Sequence, residues 1–287
     1  MRHTYECQLR WADMDLLGHV NNVTYLDYLQ EARIEMLLKH TSGQRLLALA
    51  EGAQVIHHSV QYAAPLTFRL APVKIDTWVV SADEDSFVLG HEIYDDHTGE
   101  RVTYLRARST LAPYAFDEDR RRRVTASELE TLASFLGEDP IGEPAGFSEP
   151  RPVENGDYEL RVRFSDLDAF GVVDEVQHFE FFQEARISYI GRMQGSSAVD
   201  FRKTPMVIAQ MDVAYERPMR FQLTPYRVRS WVSKVGGSSF VIESELFDDE
   251  GTTYSRARVV LVTFDARTQK AAPAPEELRQ LLLAQLP

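Results

Sequence analysis

Apolar residues recur at helical spacing after residue 23. Leu26, Leu29, Arg33, Met36 and Leu37 mark one side of a long helix over about Val23–Lys39. Asn21 and Asn22, just before it, are residue types that cap helices. Thr4–Trp11 reads as a strand leading to that point. Behind the helix the period shifts towards two, with strands near Ala53–Ala63, Val73–Ala82, Ser86–Asp95 and Arg101–Pro113. Asp83-Glu84-Asp85 and Asp96-His97-Thr98-Gly99 supply the turns. One long helix beside a run of antiparallel strands is an α+β layout.

The whole pattern then occurs a second time. With Asp15 placed on Asp168, the positions Arg10, Asp13, Asp15, Gly18, Val20, Val23 and Gln30-Glu31-Ala32-Arg33-Ile34 find identical residues in the second half. The same register pairs Tyr62 with Tyr215, Pro65 with Pro218, Trp78 with Trp231 and Phe87 with Phe240. After a short deletion, Arg106-Ala107-Arg108 matches Arg256-Ala257-Arg258. The second helix is predicted over about Val176–Met193, with strands near Pro205–Tyr215, Tyr226–Ser233, Ser238–Asp248 and Thr252–Phe264. Two copies indicate a duplicated domain and not a solenoid. Thr125-Ala126-Ser127-Glu128 has the form of a capping box, opening a short helix that Gly137 closes. A comparable helix follows Pro275. The expected domains are 1–137, with its appended helix, and 157–287. A Pro/Gly-rich linker, 138–156, joins them.

Composition narrows the function. A net charge of −13 argues against nucleic acid as a partner. Cys7 is the single cysteine, so no internal disulfide forms. With no secretory leader and no apolar stretch of membrane length, the expectation is a cytoplasmic protein without a membrane partner. Scattered histidines and one cysteine predict no metal site. There is no G-x-S-x-G elbow and no Gly-rich phosphate loop.

The chemistry concentrates in Arg10-Trp11-Ala12-Asp13-Met14-Asp15-Leu16-Leu17-Gly18-His19-Val20-Asn21-Asn22 and its counterpart Arg163–Glu175. Each places acids in a glycine turn just before a helix. There a carboxylate can act as base or nucleophile, and unpaired helix-start amides can hold negative charge. Asp13 and Asp166 lie on the strand side, where bracing the loop is the simpler role. His19, four residues from Asp15, suits acid–base work. In the strand after the helix, alternation puts His58 on one face with Ile56, Val60 and Tyr62. A hydrogen-bonded core histidine and a pocket-lining group are both open readings. Glu31 and Arg33 are too close in sequence to face each other on a helix, so each is expected to pair elsewhere.

The order strand, D-x-D-x-x-G, long helix with E-A-R, then strands opening on Y-x-x-P resembles the hot-dog-fold thioesterases. The similarity is to the 4-hydroxybenzoyl-CoA thioesterase-like branch, which includes acyl-ACP thioesterases. It covers both halves outside the linker. The resemblance implies two tandem hot-dog domains, each a long helix wrapped by a curled antiparallel sheet, paired as an internal pseudo-dimer. It implies hydrolysis of an acyl-CoA to free acid and CoA. An acyl-ACP substrate, or binding of acyl-CoA without turnover, are the alternatives. No cofactor is implied beyond the CoA of the substrate. The partners are then acyl-CoA and possibly an acyl carrier protein, and the assembly a monomer or a homodimer.

Carried onto this sequence, the acid is Asp15 in the first copy and Asp168 in the second. His19 matches a family histidine, whereas Leu17 stands where acyl-ACP members have Asn. Asn22 and Glu175 occupy the seventh position after the acid, where His or Tyr is frequent. The catalytic set is therefore Asp15, His19, Asn22 and Asp168. Gly18, Asn21, Leu26, His58, Gly171 and Glu175 are assigned to substrate binding. CoA phosphates need cations, for which Arg106, Arg108, Arg256, Arg258 and the run Arg120–Arg123 are candidates. Val172 and Glu175 replace His19 and Asn22, which favours the first copy as the working site.

Overall fold

The computed structural model describes residues 1–15, 18–40, 52–97, 99–115, 118, 120–195, 205–265, 267–268 and 270–286. The chain divides into two units, Met1–Pro144 and Ala145–Pro287, and the division falls inside the Pro/Gly-rich stretch.

Unit 1 contains β1 (His3–Cys7), α1 (Thr24–Lys39), β2 (Ala53–Tyr62), β3 (Val73–Ala82), β4 (Phe87–Asp95), β5 (Val102–Ala115), the two-residue β6 (Arg120–Arg121) and α2 (Ala126–Ala133). Its sheet is antiparallel with order β1-β3-β4-β5-β2, and β6 pairs with β5. Unit 2 contains β7 (Asp157–Leu160), α3 (Glu175–Gly195), β8 (Met206–Tyr215), β9 (Tyr226–Val235), β10 (Ser239–Phe247), β11 (Thr253–Asp265), β12 (Lys270–Ala271) and α4 (Glu276–Leu283). Its order, β7-β9-β10-β11-β8 with β12 on β11, is that of unit 1. These are two tandem hot-dog domains of α+β class.

The long helices bury the stripe that the sequence marks. Along α1 the buried residues are Tyr25, Leu26, Tyr28, Leu29, Ala32, Arg33, Met36 and Leu37. Burying each large apolar side chain stabilises the fold by about 1.5–3 kcal/mol. Glu31 is exposed while Arg33 is buried, so the two leave the helix on different sides. Arg186 is buried in the same way in α3. The first strand is shorter than expected. It ends at Cys7, and Trp11–Asp13 forms a 3-10 turn.

The capping box forms as read: Glu128 N–H donates to Thr125 Oγ1 at 3.3 Å and Thr125 N–H to Glu128 Oε2 at 2.7 Å. Chain past α2 returns to β3, where Val79 N–H meets Phe135 O and Gly137 N–H meets Val79 O. A Cβ at Gly137 would lie 2.6 Å from the buried Trp78 ring, so no side chain fits there.

The linker is docked at both ends. Glu138 O accepts from Trp78 Nε1 in unit 1. In unit 2, Ser148 binds Glu243 and Trp231, and Arg151 reaches Val232 O. Among the described residues no helix is long and apolar enough to cross a membrane.

Candidate active site

In unit 1 the acid turn is closed by its own main chain. Asp15 N–H donates to His19 O at 2.8 Å, and Gly18 N–H to Asp15 O at 3.1 Å. Gly18 has φ +75°, a left-handed conformation that glycine adopts without a Cβ clash. His19 N–H reaches Asp15 Oδ1 at 3.3 Å and orients the carboxylate. His19 and Asp15 thus meet through the backbone, and the His19 ring makes no hydrogen bond to the carboxylate. His19 and Val20 are tied to the chain beyond β2, by a bridge to Thr67 and by Val20 N–H to Leu66 O at 2.8 Å. Leu17 lies outside the described residues.

Asp13 braces this turn. Its Oδ2 accepts from Arg10 N–H at 2.7 Å and from Tyr28 Oη at 2.5 Å, and its carbonyl accepts from Asn21 N–H. Burial, then the adjacent carboxylate, raises the Tyr28 phenol far above its ordinary value, so it stays a donor.

Asn21 and Asn22 have different roles at the entry to α1. Asn21 caps: Oδ1 takes the Val23 N–H at 3.0 Å and its carbonyl takes the Thr24 N–H at 3.0 Å. Asn22 has its carbonyl held by Tyr62 Oη at 2.7 Å. Its Nδ2 is buried without a hydrogen-bond partner, and its backbone N–H has none among the described residues. A buried unpaired donor costs about 1–3 kcal/mol. Nδ2 and the backbone N–H both lie at the positive end of a helix, where negative charge is favoured. Leu26 is buried one turn further along.

Unit 2 repeats the frame. Asp168 N–H meets Val172 O at 2.8 Å, Gly171 has φ +76°, and Asp168 Oδ1 accepts from Phe170 N–H at 2.8 Å and Val172 N–H at 3.2 Å. Burial raises the Asp168 carboxyl above its ordinary value despite those two N–H donors, and the Asp174 and Glu175 carboxylates add to the rise. Asp166 braces through Arg163 N–H at 2.7 Å, Asp174 caps through Val176 N–H at 2.8 Å, and Tyr215 Oη holds Glu175 O at 2.8 Å.

His58 is not alone on its face. Its Nδ1 lies 2.9 Å from Ser109 Oγ, which lies 3.2 Å from His91 Nε2, whose Nδ1 lies 3.1 Å from Thr77 Oγ1. This buried chain crosses four neighbouring strands. Burial, then the neighbouring His58 and Arg33, drives the His91 imidazole down to about 3, so it is neutral. A bulge at Ile56 breaks the alternation from which His58 was placed, yet leaves His58 on the face shared with Tyr62.

Single-residue reading also missed His178, which takes the place of Tyr25. It bonds Ser255 Oγ through Nδ1 at 2.8 Å, and burial drives it down to about 4. Comparing the copies position by position would have shown both differences.

The arginines considered for CoA, apart from the exposed Arg121, are mostly engaged by groups of the same chain. Arg108 pairs with Asp139 and Glu143 at 2.8 and 2.7 Å, and Arg106 lies 3.9 Å from Glu92. Arg258 pairs with Asp212, and Arg256 donates to Ser148 O. Arg120, Arg122 and Arg123 pair with Glu118, Glu128 and Glu84. Among the described residues the fold also gathers one possible metal-ligand group that the sequence did not suggest, Asp95, Asp96 and His97 at the β4–β5 turn. Its acids are already held by Arg69 and Lys74.

The thioesterase-like superfamily profile matches residues 9–134 and 162–282, once on each unit. Over 128 residues, 44% of this chain and 83% of the relative, the chain is 31% identical to the uncharacterised protein YsmA of Bacillus subtilis. It is 25% identical over 122 residues to the acyl-CoA thioester hydrolase YbgC of Escherichia coli, covering 42% of this chain and 90% of that protein. The 12:0-ACP thioesterase of Umbellularia californica superposes with a TM-score of 0.66 at 14% identity, over 92% of this chain and 94% of that one, a likeness of fold. With both units matched and the acid turn built alike in each, the chain belongs to the thioesterase-like superfamily.

Proposed function

We propose that this chain is an acyl-CoA thioesterase whose principal working site is the acid turn of unit 1. The observation that carries the assignment to unit 1 is Asn22, with two unpaired donors at the start of α1, next to a turn that orients Asp15. Relatives named as acyl-CoA thioesterases support the reaction.

Water attacks the thioester carbon while Asp15 accepts its proton. The carbonyl oxygen becomes an oxyanion that accepts from Asn22 N–H and Nδ2. The C–S bond then breaks and the electron pair leaves with sulfur. His19, part-exposed and without a side-chain hydrogen bond among the described residues, hydrogen-bonds or protonates the leaving thiolate. A thiolate is a fair leaving group, so the reaction asks for no metal and no organic cofactor. Leu26 and His58 line the acyl side.

The test is an acyl-CoA series with a thiol-trapping dye. Thiol release that depends on chain length supports the proposal. Measurable acyl-CoA binding with no release at any length would leave a binding protein.

A further inference from the structure

Each unit exposes the same apolar group beside its acid turn. The most exposed large hydrophobic side chains among the described residues are Leu223 (87%), Leu70 (81%), Phe164 (78%) and Trp11 (76%). They are two equivalent pairs, Trp11 with Phe164 and Leu70 with Leu223. Trp11 sits edge-to-face on Phe68 at 5.3 Å, and Phe164 on Phe221 at 6.2 Å. The group is tied to the acid turn. Thr67 bridges to His19, Arg220 bridges to Val172, and Gln8 Nε2 donates to Leu70 O at 2.6 Å. Arg10 and Arg163, immediately before the two aromatics, are exposed and make no salt bridge with the described residues.

Exposed aromatics of this kind mark a binding surface. This one recurs with the acid turn, so its ligand is something brought to that turn. A flat apolar ring next to an unpaired guanidinium suits an aromatic base joined to phosphate. On a chain of net charge −13, with the strand arginines already engaged, these cations are well placed for an anion at the turn. Resting on the acyl-CoA reading above, we infer that Arg10, Trp11, Phe68 and Leu70, and the equivalent group in unit 2, form the rim on which the adenine nucleotide of CoA is held.

Trp11 reports its own occupancy, since Trp78 and Trp231 are buried at 2% and 1% exposure. Titration of the full chain with adenosine 3′,5′-bisphosphate should quench tryptophan fluorescence saturably, with competition by CoA and none by pantetheine. In the double variant Trp11→Ala/Phe164→Ala, KM for an acyl-CoA should rise about tenfold, the scale of one lost base–aromatic stack. KM for the same acyl group on pantetheine, and kcat for both, should stay unchanged. Trp11→Phe, the residue type of unit 2, should keep the acyl-CoA KM.

Absence of saturable quenching overturns the inference, as do equal KM changes for both substrates. A wild-type dimer that the double variant converts to monomer, seen by light scattering, would make the rim a contact between copies. Loss of cosedimentation with phosphatidylcholine vesicles in the variant would make it a lipid contact. Either result overturns the nucleotide assignment. Quenching without hydrolysis of any acyl-CoA would keep the nucleotide rim and reject the hydrolase reading.

Discussion

At the start of its long helix, unit 1 carries Asn22, with two unpaired donors, where unit 2 carries Glu175, and Tyr25 corresponds to His178. The turns before those helices share the left-handed glycine and the main-chain brace on Asp13 or Asp166, while Val172 stands for His19 and Phe181 for the Tyr28 that also binds Asp13. The comparison separates what the turn needs for shape from what a reaction needs. Shape is kept in both copies. Unit 1 has an amide donor at that point, while in unit 2 Glu175 adds a carboxylate. There burial and the Asp174 and Glu175 carboxylates also raise the Asp168 carboxyl above its ordinary value.

The comparison breaks most sharply at the acids. Asp15→Asn should lower kcat by about 10³-fold, within the range for loss of a general base. Its Oδ1 can still accept the His19 N–H, so the turn should hold and the melting temperature should move little. Asp168→Asn should retain more than about half of the wild-type rate. Two equal and independent sites would give a different result, each single variant keeping about half of the turnover.

A second exchange tests the donor. Asn22→Ala should lower kcat about 10²-fold, the effect of removing one oxyanion donor. In an Asp15→Asn background, Glu175→Asn gives unit 2 a donor and removes a carboxylate, so the residual rate should rise. A fall would assign Glu175 a positive role and make unit 2 a working site of another design.

What was legible in the sequence follows from range. The periods of α1 and α3, the strands, the capping box at Thr125 and the acid turns are set by residues within a few positions of one another, and most element ends lie within two residues of expectation. The sequence reading carries the first strand to Trp11; the chain instead turns over Trp11–Asp13, and the ring is exposed. Thr77, His91, Ser109 and His58 were not legible as a group, because each sits on a different strand. Only the pairings Thr77 with His91 and His58 with Ser109, plus one diagonal step, bring them together. The internal engagement of Arg108 and Arg256 was hidden for the same reason, since their partners lie in the linker.

That polar chain gives the smallest and most local test of how the units differ. The same register in unit 2 holds Met211 beside Val259, and Ser230 bonded to Ser244 at 2.8 Å. Ser109→Val leaves ring nitrogens of His58 and His91 without their partner and should cost about 1–3 kcal/mol. The triple variant His58→Met/Ser109→Val/His91→Ser gives three of the four positions their unit 2 residues, Thr77 remaining where unit 2 has Ser230, and should recover much of that loss. The two proteins should also respond differently to acid. The folded pKa of His91 is depressed, from 6.5 to about 3, so between those values the unfolded chain binds the extra proton. Stability therefore rises with pH through that window and is lost on acidification below about 6.5. Near pH 5 His91 alone accounts for a loss of about 2 kcal/mol. His178, depressed to about 4, leaves a similar acid sensitivity in unit 2 that the triple variant keeps. Urea midpoints between about pH 7.5 and pH 5 should thus fall in both proteins, less steeply in the triple variant. Parallel slopes would mean that His91 takes up a proton without cost in the folded state, and that the polar chain is not the buried neutral network its geometry describes.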